Sequence, residues 1–150
     1  MNQIQIFIGN DHAALEYKNI LLEQCNKKGY QINDQGTNTN QSCDYNDFAV
    51  NVCNEVIKTN GIGILICGSG IGISIMANKV KGIRCGQVND YHSTLQAIEI
   101  GCNVISFGAR TVGIEIAKQI VDTFLSQYHK IDNNEVEKEI QGFEEENYRK

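Results

Sequence analysis

The segment 62–79 constrains the fold of this chain more than any other stretch. Residues 62–67 form a continuous apolar run that ends in Cys67, and glycines follow at positions 68, 70 and 72. A short apolar run bounded by glycines predicts a buried strand. Residues 71–79 then suit a helix, so the segment predicts a strand, a tight turn and a helix in succession.

Four more strand signals alternate with helix signals along the chain. We predict strands over 4–8, near 30–32, over 83–88 and over 103–107, because these runs are apolar and rich in β-branched residues. Strands that alternate with helices predict a five-stranded parallel sheet with helices on both faces, in three α/β/α layers.

The helix signals lie between those strands. One helix begins at Asp11, a good N-cap residue, and stops at Gly29, and a later one turns Leu95 and Ile98 inward. Two others have long apolar faces, made by Ala49, Val52, Cys53, Val56 and Ile57 and by Ile116, Ala117, Ile120, Val121 and Phe124.

Length and charge limit the organisation and the partners. A chain of 150 residues fits one domain, and residues 131–150 hold seven acidic and three basic side chains of a chain with net charge −5. We expect a domain over 1–130 and an acidic carboxyl-terminal helix over 131–150, in which Val136, Ile140 and Phe143 pack on the same domain or on a partner subunit. The nearly neutral body argues against nucleic acid. Since the sequence has no membrane-spanning run and no secretion signal, we expect a cytoplasmic protein.

The chain has six cysteines, and no two of them are spaced as a C-x-x-C pair, which argues against a zinc ribbon or a dithiol redox motif. Most of them suit the core, but Cys67 lies at a strand end just before a helix, where the thiolate is favoured. Glycines at 68, 70 and 72 allow backbone N–H groups to approach an anion, and Ser69 adds a hydroxyl. An inert packed thiol and an incomplete dinucleotide motif, with Asp90 as ribose-binding acid, are the alternatives.

The predicted sheet places function at the carboxyl ends of its strands. Asp11 and His12 follow the first strand, and Arg110 follows the fifth, where it can bind an anion. Arg84 begins a strand and therefore belongs to the opposite edge of the sheet.

Residues 64–74, with Ala77-Asn78-Lys79 and Gly82-Ile83-Arg84, closely resemble the signature of the type B ribose-5-phosphate isomerase family, which includes the galactose-6-phosphate isomerase subunits. Asp11-His12, Gly36-Thr37, Asp44-Tyr45 and residues 103–110 match other landmarks of that family in the same order. The resemblance covers residues 4–128. It implies a Rossmann-like, doubly wound fold and a homodimer or dimer of dimers that acts on a sugar phosphate without metal or cofactor.

The resemblance also implies roles for individual residues. Cys67 would be the base that moves a proton between C1 and C2 of an open-chain sugar phosphate, and Ser69 would assist ring opening. The enediolate oxygen would bind the backbone amides of the loop, in which Gly68, Gly70, Ile71, Gly72 and Ser74 are the candidates. Asp11 and Tyr45 would contact sugar hydroxyls, and His12 and Arg110 would lie near the phosphate.

Several positions depart from the family pattern. Glu99 and Ile100 stand where the family members that act on ribose 5-phosphate have a His-Asn pair, so we take Glu99 as a candidate for ring opening, with His92 as the alternative. Ser42 stands where the family has an arginine, and Asn46 stands where it has a proline. Two further family arginines fall around Ile131 and Glu135, and neither is retained. The leading hypothesis is a ribose-5-phosphate isomerase. The alternatives are an isomerase or isomerase subunit for another sugar phosphate, and a non-catalytic nucleotide- or sugar-binding module.

Overall fold

A computed structural model describes residues 3–129 and 135–148, which contain one parallel sheet of five strands with helices on both faces. The strand order is β2-β1-β3-β5-β4, as expected of the predicted α/β fold. The strands are β1 Ile6–Asn10, β2 Ile32–Asp34, β3 Ile62–Cys67, β4 Cys85–Gln87 and β5 Val104–Gly108. The helices are α1 Leu15–Lys27, α2 Tyr45–Thr59, α3 Ile71–Ala77, α4 Tyr91–Ile100, α5 Ile114–Gln127 and α6 Glu135–Asn147, and a short 3-10 helix His12–Ala14 precedes α1.

The central strands bury both faces. Along β3, Ile62, Ile64 and Ile66 pack with α1, α4 and α5, whereas Leu65 and Cys67 pack with α2 and α3. Successive side chains of a strand point to opposite faces, so a continuous apolar run is needed where both faces are covered. Cys67 therefore points toward the layer formed by α2 and α3.

Long-range pairing sets three of the strand boundaries. Strand β1 continues two residues beyond the predicted 4–8, because Gly9 and Asn10 pair with Leu65 and Ile66 of β3. The second strand starts at Ile32 rather than Tyr30, whose N–H donates to the Cys25 carbonyl at the end of α1. Strand β4 is also shorter than the predicted 83–88. These edge strands begin where a neighbouring strand offers a partner, which local pattern does not specify.

Two predicted core positions are wrong. Ile57 and Ile116 are 46% and 41% exposed, although the helical pattern placed them on the buried faces of α2 and α5. Leu95 is only half-buried. Each of these residues lies at the margin of its apolar stripe, where the width of the covering layer decides burial.

The carboxyl-terminal helix contacts its own domain through a carboxylate. Both Glu144 side-chain oxygens accept a hydrogen bond from the Gly82 N–H, at 3.1 and 3.0 Å, and Glu144 is 5% exposed. Of the three predicted apolar positions, Ile140 is half-buried and lines the cleft beneath α6, whereas Val136 and Phe143 are 40% and 62% exposed, so their packing on a partner subunit stays a prediction. The predicted boundary at 130/131 and the family position at Ile131 lie outside the described residues. Among the described helices, none is long and apolar enough to cross a membrane.

Candidate active site

A cleft of about 480 Å³ opens at the carboxyl ends of β1, β3 and β5. The chain moves from β1 outward to β2 and returns to β3 on the other side of β1, so this edge contains the topological switch point where parallel α/β sheets bind ligands. The cleft is lined by Asp11, Tyr45, Cys67, Gly68, Ser69, Gly72, Arg110 and Thr111. Seven of these eight residues belong to the predicted site.

Cys67 is the last residue of β3 and is 3% exposed. Its Sγ accepts a hydrogen bond from the Gly70 N–H at 3.2 Å. This hydrogen bond ties the sulfur atom to the glycine-rich turn that follows β3. The Cys67 side chain therefore lines the cleft while being shielded from most of the solvent.

The turn after Cys67 is tied to the segment that follows β5. The Cys67 and Gly68 carbonyls accept from the N–H groups of Ala109 and Arg110, at 2.8 and 2.9 Å. Because a trans peptide is planar, each of these bonds directs the next N–H group to the opposite side. The N–H groups of Gly68 and Ser69 consequently point away from the loop at 109–110, on residues that line the cleft.

Two glycines of the turn have side chains from other segments close to their backbone. A Cβ at Gly72 would lie 2.4 Å from the Tyr45 hydroxyl oxygen and ring, and a Cβ at Gly68 would lie 3.2 Å from Nη1 of Arg110. The phenol and the guanidinium thus lie directly over the glycine-rich backbone. A single cationic side chain beside free N–H groups can bind a phosphate or a developing oxyanion.

Asp11 and His12 lie at the start of the 3-10 helix. Asp11 caps that helix by accepting from the Ala13 N–H at 3.0 Å, and it is 6% exposed. The His12 Nδ1 accepts from the Cys43 N–H at 3.3 Å, which requires the proton of the neutral ring to be on Nε2. Asp11 lines the cleft, whereas His12 contacts the loop before α2.

Several predicted site residues do not line this cleft. The N–H groups of Gly70 and Ile71 donate within the turn, to the Cys67 Sγ and the Ser69 Oγ, and the Ser74 hydroxyl donates to the Ile71 carbonyl at 2.8 Å. Glu99 lies on the exposed side of α4, where it accepts from the Gln96 side chain at 3.0 Å. Its role in ring opening therefore stays a prediction. Thr111 was missed, although its position directly after Arg110 would have indicated it.

Four of the other thiols belong to the core or its margin, and Cys43 lies beside His12 in the loop before α2. Burial raises the pKa of Cys25 to about 11 and the pKa values of Cys53 and Cys85 to about 12, so these thiols stay protonated at neutral pH. Burial also raises the pKa of Cys102. The prediction that most cysteines are packing residues agrees with these environments.

A second cleft, of about 260 Å³, lies at the opposite edge of the sheet beneath α6. Three of its charged groups, Arg84, Glu137 and Glu144, have protein partners. Arg84 donates to the Gly101 carbonyl at 2.7 Å and lies 3.3 Å from Glu137, and Glu144 accepts from Gly82. As predicted, Arg84 faces away from the Cys67 cleft.

Comparison with known proteins gives consistent matches. The model of the ribose/galactose isomerase family matches residues 6–142. Ribose-5-phosphate isomerase B of Escherichia coli is 39% identical over 128 residues, which cover 83% of this chain and 85% of that protein. The galactose-6-phosphate isomerase subunit LacB of Clostridium acetobutylicum is 36% identical over 127 residues, which cover 83% of this chain and 73% of that protein.

A solved structure of a similar protein contains a sugar phosphate. Ribose-5-phosphate isomerase B of Mycoplasma genitalium with bound ribulose 5-phosphate superimposes with a TM-score of 0.89 at 32% identity. The superposition covers 97% of this chain and 99% of that one. Sequence and fold thus agree over nearly the whole chain.

Proposed function

This chain belongs to the ribose/galactose isomerase family, and from that premise we propose that it is a cytoplasmic enzyme that interconverts ribose 5-phosphate and ribulose 5-phosphate. The proposed reaction passes through an enediolate, with Cys67 as the base. One observation carries the proposal. A nearly buried thiol that accepts an N–H hydrogen bond shares a cleft with a carboxylate, a phenol, a hydroxyl and a guanidinium.

The proposed chemistry begins with the open-chain aldose. The Cys67 thiolate removes the proton from C2, the electron pair forms the C1–C2 double bond, and the C1 carbonyl oxygen becomes an oxyanion. The hydroxyl proton then passes from O2 to O1, and the Cys67 thiol returns its proton to C1, which leaves a carbonyl at C2. N–H groups at Gly68 and Ser69 would stabilise the oxyanion, and positioned donors of this type lower such barriers strongly.

The remaining cleft residues suit the rest of a sugar phosphate. Arg110 would bind the phosphate, with the Nε2–H of His12 as a second donor. The Asp11 carboxylate would accept hydrogen bonds from sugar hydroxyls, and the Tyr45 phenol would donate one to a sugar oxygen. Ser69 would assist ring opening, because its hydroxyl can carry a proton to or from the ring oxygen.

A second candidate is an isomerase, or an isomerase subunit, for another sugar phosphate such as galactose 6-phosphate. Glu99 and Ile100 replace the family's His-Asn pair, and both lie on the exposed side of α4. The similarity to a galactose-6-phosphate isomerase subunit supports this candidate. Mixing with the complementary subunit type should then raise the activity, whereas full turnover by the purified chain alone would exclude an obligatory partner.

We also propose that the chain forms a homodimer or a dimer of dimers. Large apolar side chains are exposed on the two helices that begin at the cleft edge of the sheet, namely Ile71, Ile75, Tyr91 and Ile100, at 43–56%. Burying such a surface is the usual source of stability in a homodimer. Light scattering coupled to size exclusion should give at least twice the monomer mass, and a monomer at micromolar concentration would contradict this assignment.

The deciding experiment is a coupled assay on a panel of pentose and hexose phosphates. Cys67→Ala should lower kcat by about 10²–10⁴-fold, because general-base catalysis contributes that much. The matched control is Cys102→Ala, which removes a buried thiol at the amino end of β5 and should retain activity. Equal activity of wild type and Cys67→Ala, or inactivity of wild type on every substrate, would refute the proposal.

A further inference from the structure

Four successive carbonyls of the turn 67–70 each accept a hydrogen bond, but the donors differ in kind. The first two accept from the backbone of Ala109 and Arg110, which any residue could provide at those positions. The last two accept from side chains. Gln87 Nε2 donates to the carbonyl of residue 69 at 3.2 Å, and Ser106 Oγ donates to the carbonyl of residue 70 at 3.1 Å.

The Gln87 contact determines where the next N–H group points. The carbonyl of Ser69 and the N–H of Gly70 belong to one planar trans peptide and point in opposite directions. While Gln87 holds the carbonyl, the N–H donates to the Sγ of Cys67 at 3.2 Å. We propose that Gln87 is a positioning residue for the base, which acts by fixing the Ser69–Gly70 peptide so that its N–H stabilises the Cys67 thiolate.

This peptide needs an external anchor because of its glycine. Gly70 has φ +77°, a conformation that glycine adopts without strain but can also leave easily. A Cβ at Gly70 would lie 2.6 Å from the carbonyl carbon of Phe107, so no other residue fits there. If the peptide rotated by about half a turn, it would direct a carbonyl oxygen, rather than an N–H, at sulfur and would disfavour the thiolate. A donor on the Ser69 carbonyl opposes that rotation.

Ser106 holds the following peptide in the same manner. It is fully buried on β5, and its hydroxyl anchors the Gly70 carbonyl. The N–H on the other side of that peptide, from Ile71, donates to the Ser69 Oγ at 3.2 Å. With Oγ already an acceptor, the Ser69 hydroxyl proton is left to donate into the cleft.

Both anchors come from one rung of the sheet. Gln87 of β4 pairs directly with Ser106 of β5, so their side chains emerge side by side on the same face. The inference rests on the proposed function, because it gives Gln87 a role through the base Cys67. It adds that the last strand pair of the sheet, and not only the glycine-rich turn, determines how strongly the thiolate is favoured.

The test compares Gln87→Met with wild type. Methionine keeps the length of the side chain and removes the donor, and position 87 is exposed, so the fold should be unaffected. The matched control is Gln31→Met, an exposed glutamine just before β2 at the far edge of the sheet. The charged and titratable groups that share the cleft with Cys67 are Asp11, Tyr45 and Arg110, and both variants retain them.

The first readout is alkylation of Cys67 by iodoacetamide from pH 5 to 10, followed on the Cys67 peptide by mass spectrometry. We expect the midpoint of the rate profile to move up by about one pH unit in Gln87→Met, which corresponds to about tenfold slower alkylation below the midpoint. The second readout is steady-state kinetics. The kcat at low pH should fall about tenfold while KM changes less than twofold, because the peptide acts on the base and not on the bound sugar.

These outcomes separate the two proposals. Alkylation of Cys67 requires no turnover, so it tests the peptide anchor whatever the substrate is. An unchanged alkylation profile in Gln87→Met would refute the role of Gln87 even if the wild type isomerises ribose 5-phosphate. Full activity of Cys67→Ala would instead refute the proposed function. A shift of equal size in Gln31→Met would show a general effect of substitution and would also overturn the inference.

Discussion

Lys18→Met should destabilise this protein far more than any other lysine substitution on α1. The Lys18 side chain is fully buried, and its ammonium lies 2.9 Å from Asp34. It also donates to the Thr37 carbonyl at 2.6 Å and to the Asn38 side chain at 2.8 Å. These acceptors form the loop after β2, and the Thr37 N–H in turn donates to the Asn10 carbonyl at the end of β1. One buried cation thus organises the loop beside the cleft.

The magnitude follows from what the substitution leaves behind. Methionine fills the volume of the lysine methylenes, so the cavity contribution is small. Removing one partner of a buried ion pair costs about 3–5 kcal/mol. Asp34 keeps 26% of its side chain exposed and can regain some hydration, so we expect a value of about 3 kcal/mol, at the lower end of that range.

Urea denaturation followed by far-UV circular dichroism at fixed protein concentration measures this change. With a slope of about 2 kcal/mol per molar urea, a loss of 3 kcal/mol lowers the midpoint by about 1.5 M. The matched control is Lys27→Met on the same helix. Lys27 and Glu23 form an exposed pair at 2.7 Å, so its loss should leave the urea midpoint almost unchanged.

The double variant Lys18→Met/Asp34→Asn tests the physical cause. Asparagine removes the unpaired charge and still accepts from the Gly36 N–H, as Asp34 does at 2.9 Å. The double variant should therefore be less destabilised than the sum of the two single variants by about 1–2 kcal/mol. A Lys18→Met midpoint no lower than that of Lys27→Met would refute the reasoning.

Gly72→Ala should raise KM about tenfold without unfolding the protein, because the added Cβ would displace the Tyr45 ring from the cleft; an unchanged KM would contradict this contact. Glu144→Ala should detach α6 alone. The substitution removes a buried acceptor and leaves the Gly82 N–H unpaired, which costs about 1–3 kcal/mol. Hydrogen exchange should then rise across Glu135–Asn147 while β3 stays protected, and a uniform rise across both would speak against local detachment. Stability should fall as pH rises from 9 toward 12, because burial raises the pKa of Cys53 to about 12 and the unfolded chain loses a proton that the folded chain keeps. Urea midpoints against pH should decline less steeply in Cys53→Ala, and identical slopes would exclude this thiol as a cause.

Local sequence pattern accounted for most of the elements. The apolar run of β3, the glycines after it and the helix start at Ile71 were all predicted, and the strand bounds agree with the structure. Boundaries were less accurate for β1, β2 and β4, because their ends depend on where a neighbouring strand offers a partner. A pattern of apolar residues records what is buried, but it does not record where the partner strand ends.

The candidate site was predicted from its position along the chain. Asp11, Cys67 and Arg110 lie at separate strand ends, and the rule that parallel strands expose their carboxyl ends at one edge was enough to group them. Tyr45 was added by the family resemblance. Thr111 and Gln87 were not predicted. Gln87 sits in a strand as an exposed polar residue, and nothing in its local sequence indicates that it meets the Ser69 carbonyl.

The sequence by itself determined the alternation of strands and helices and the Cys67 turn, because these depend on short-range spacing and on the conformational freedom of glycine. Only the tertiary structure decided which charged groups are buried and which polar groups distant in sequence meet. Lys18 is enclosed by a loop twenty residues away, Glu144 caps a turn sixty-two residues away, and Gln87 anchors a peptide eighteen residues away. Burial of a polar side chain is tolerated only where distant backbone and side-chain groups satisfy it, and those partners are brought together by the fold.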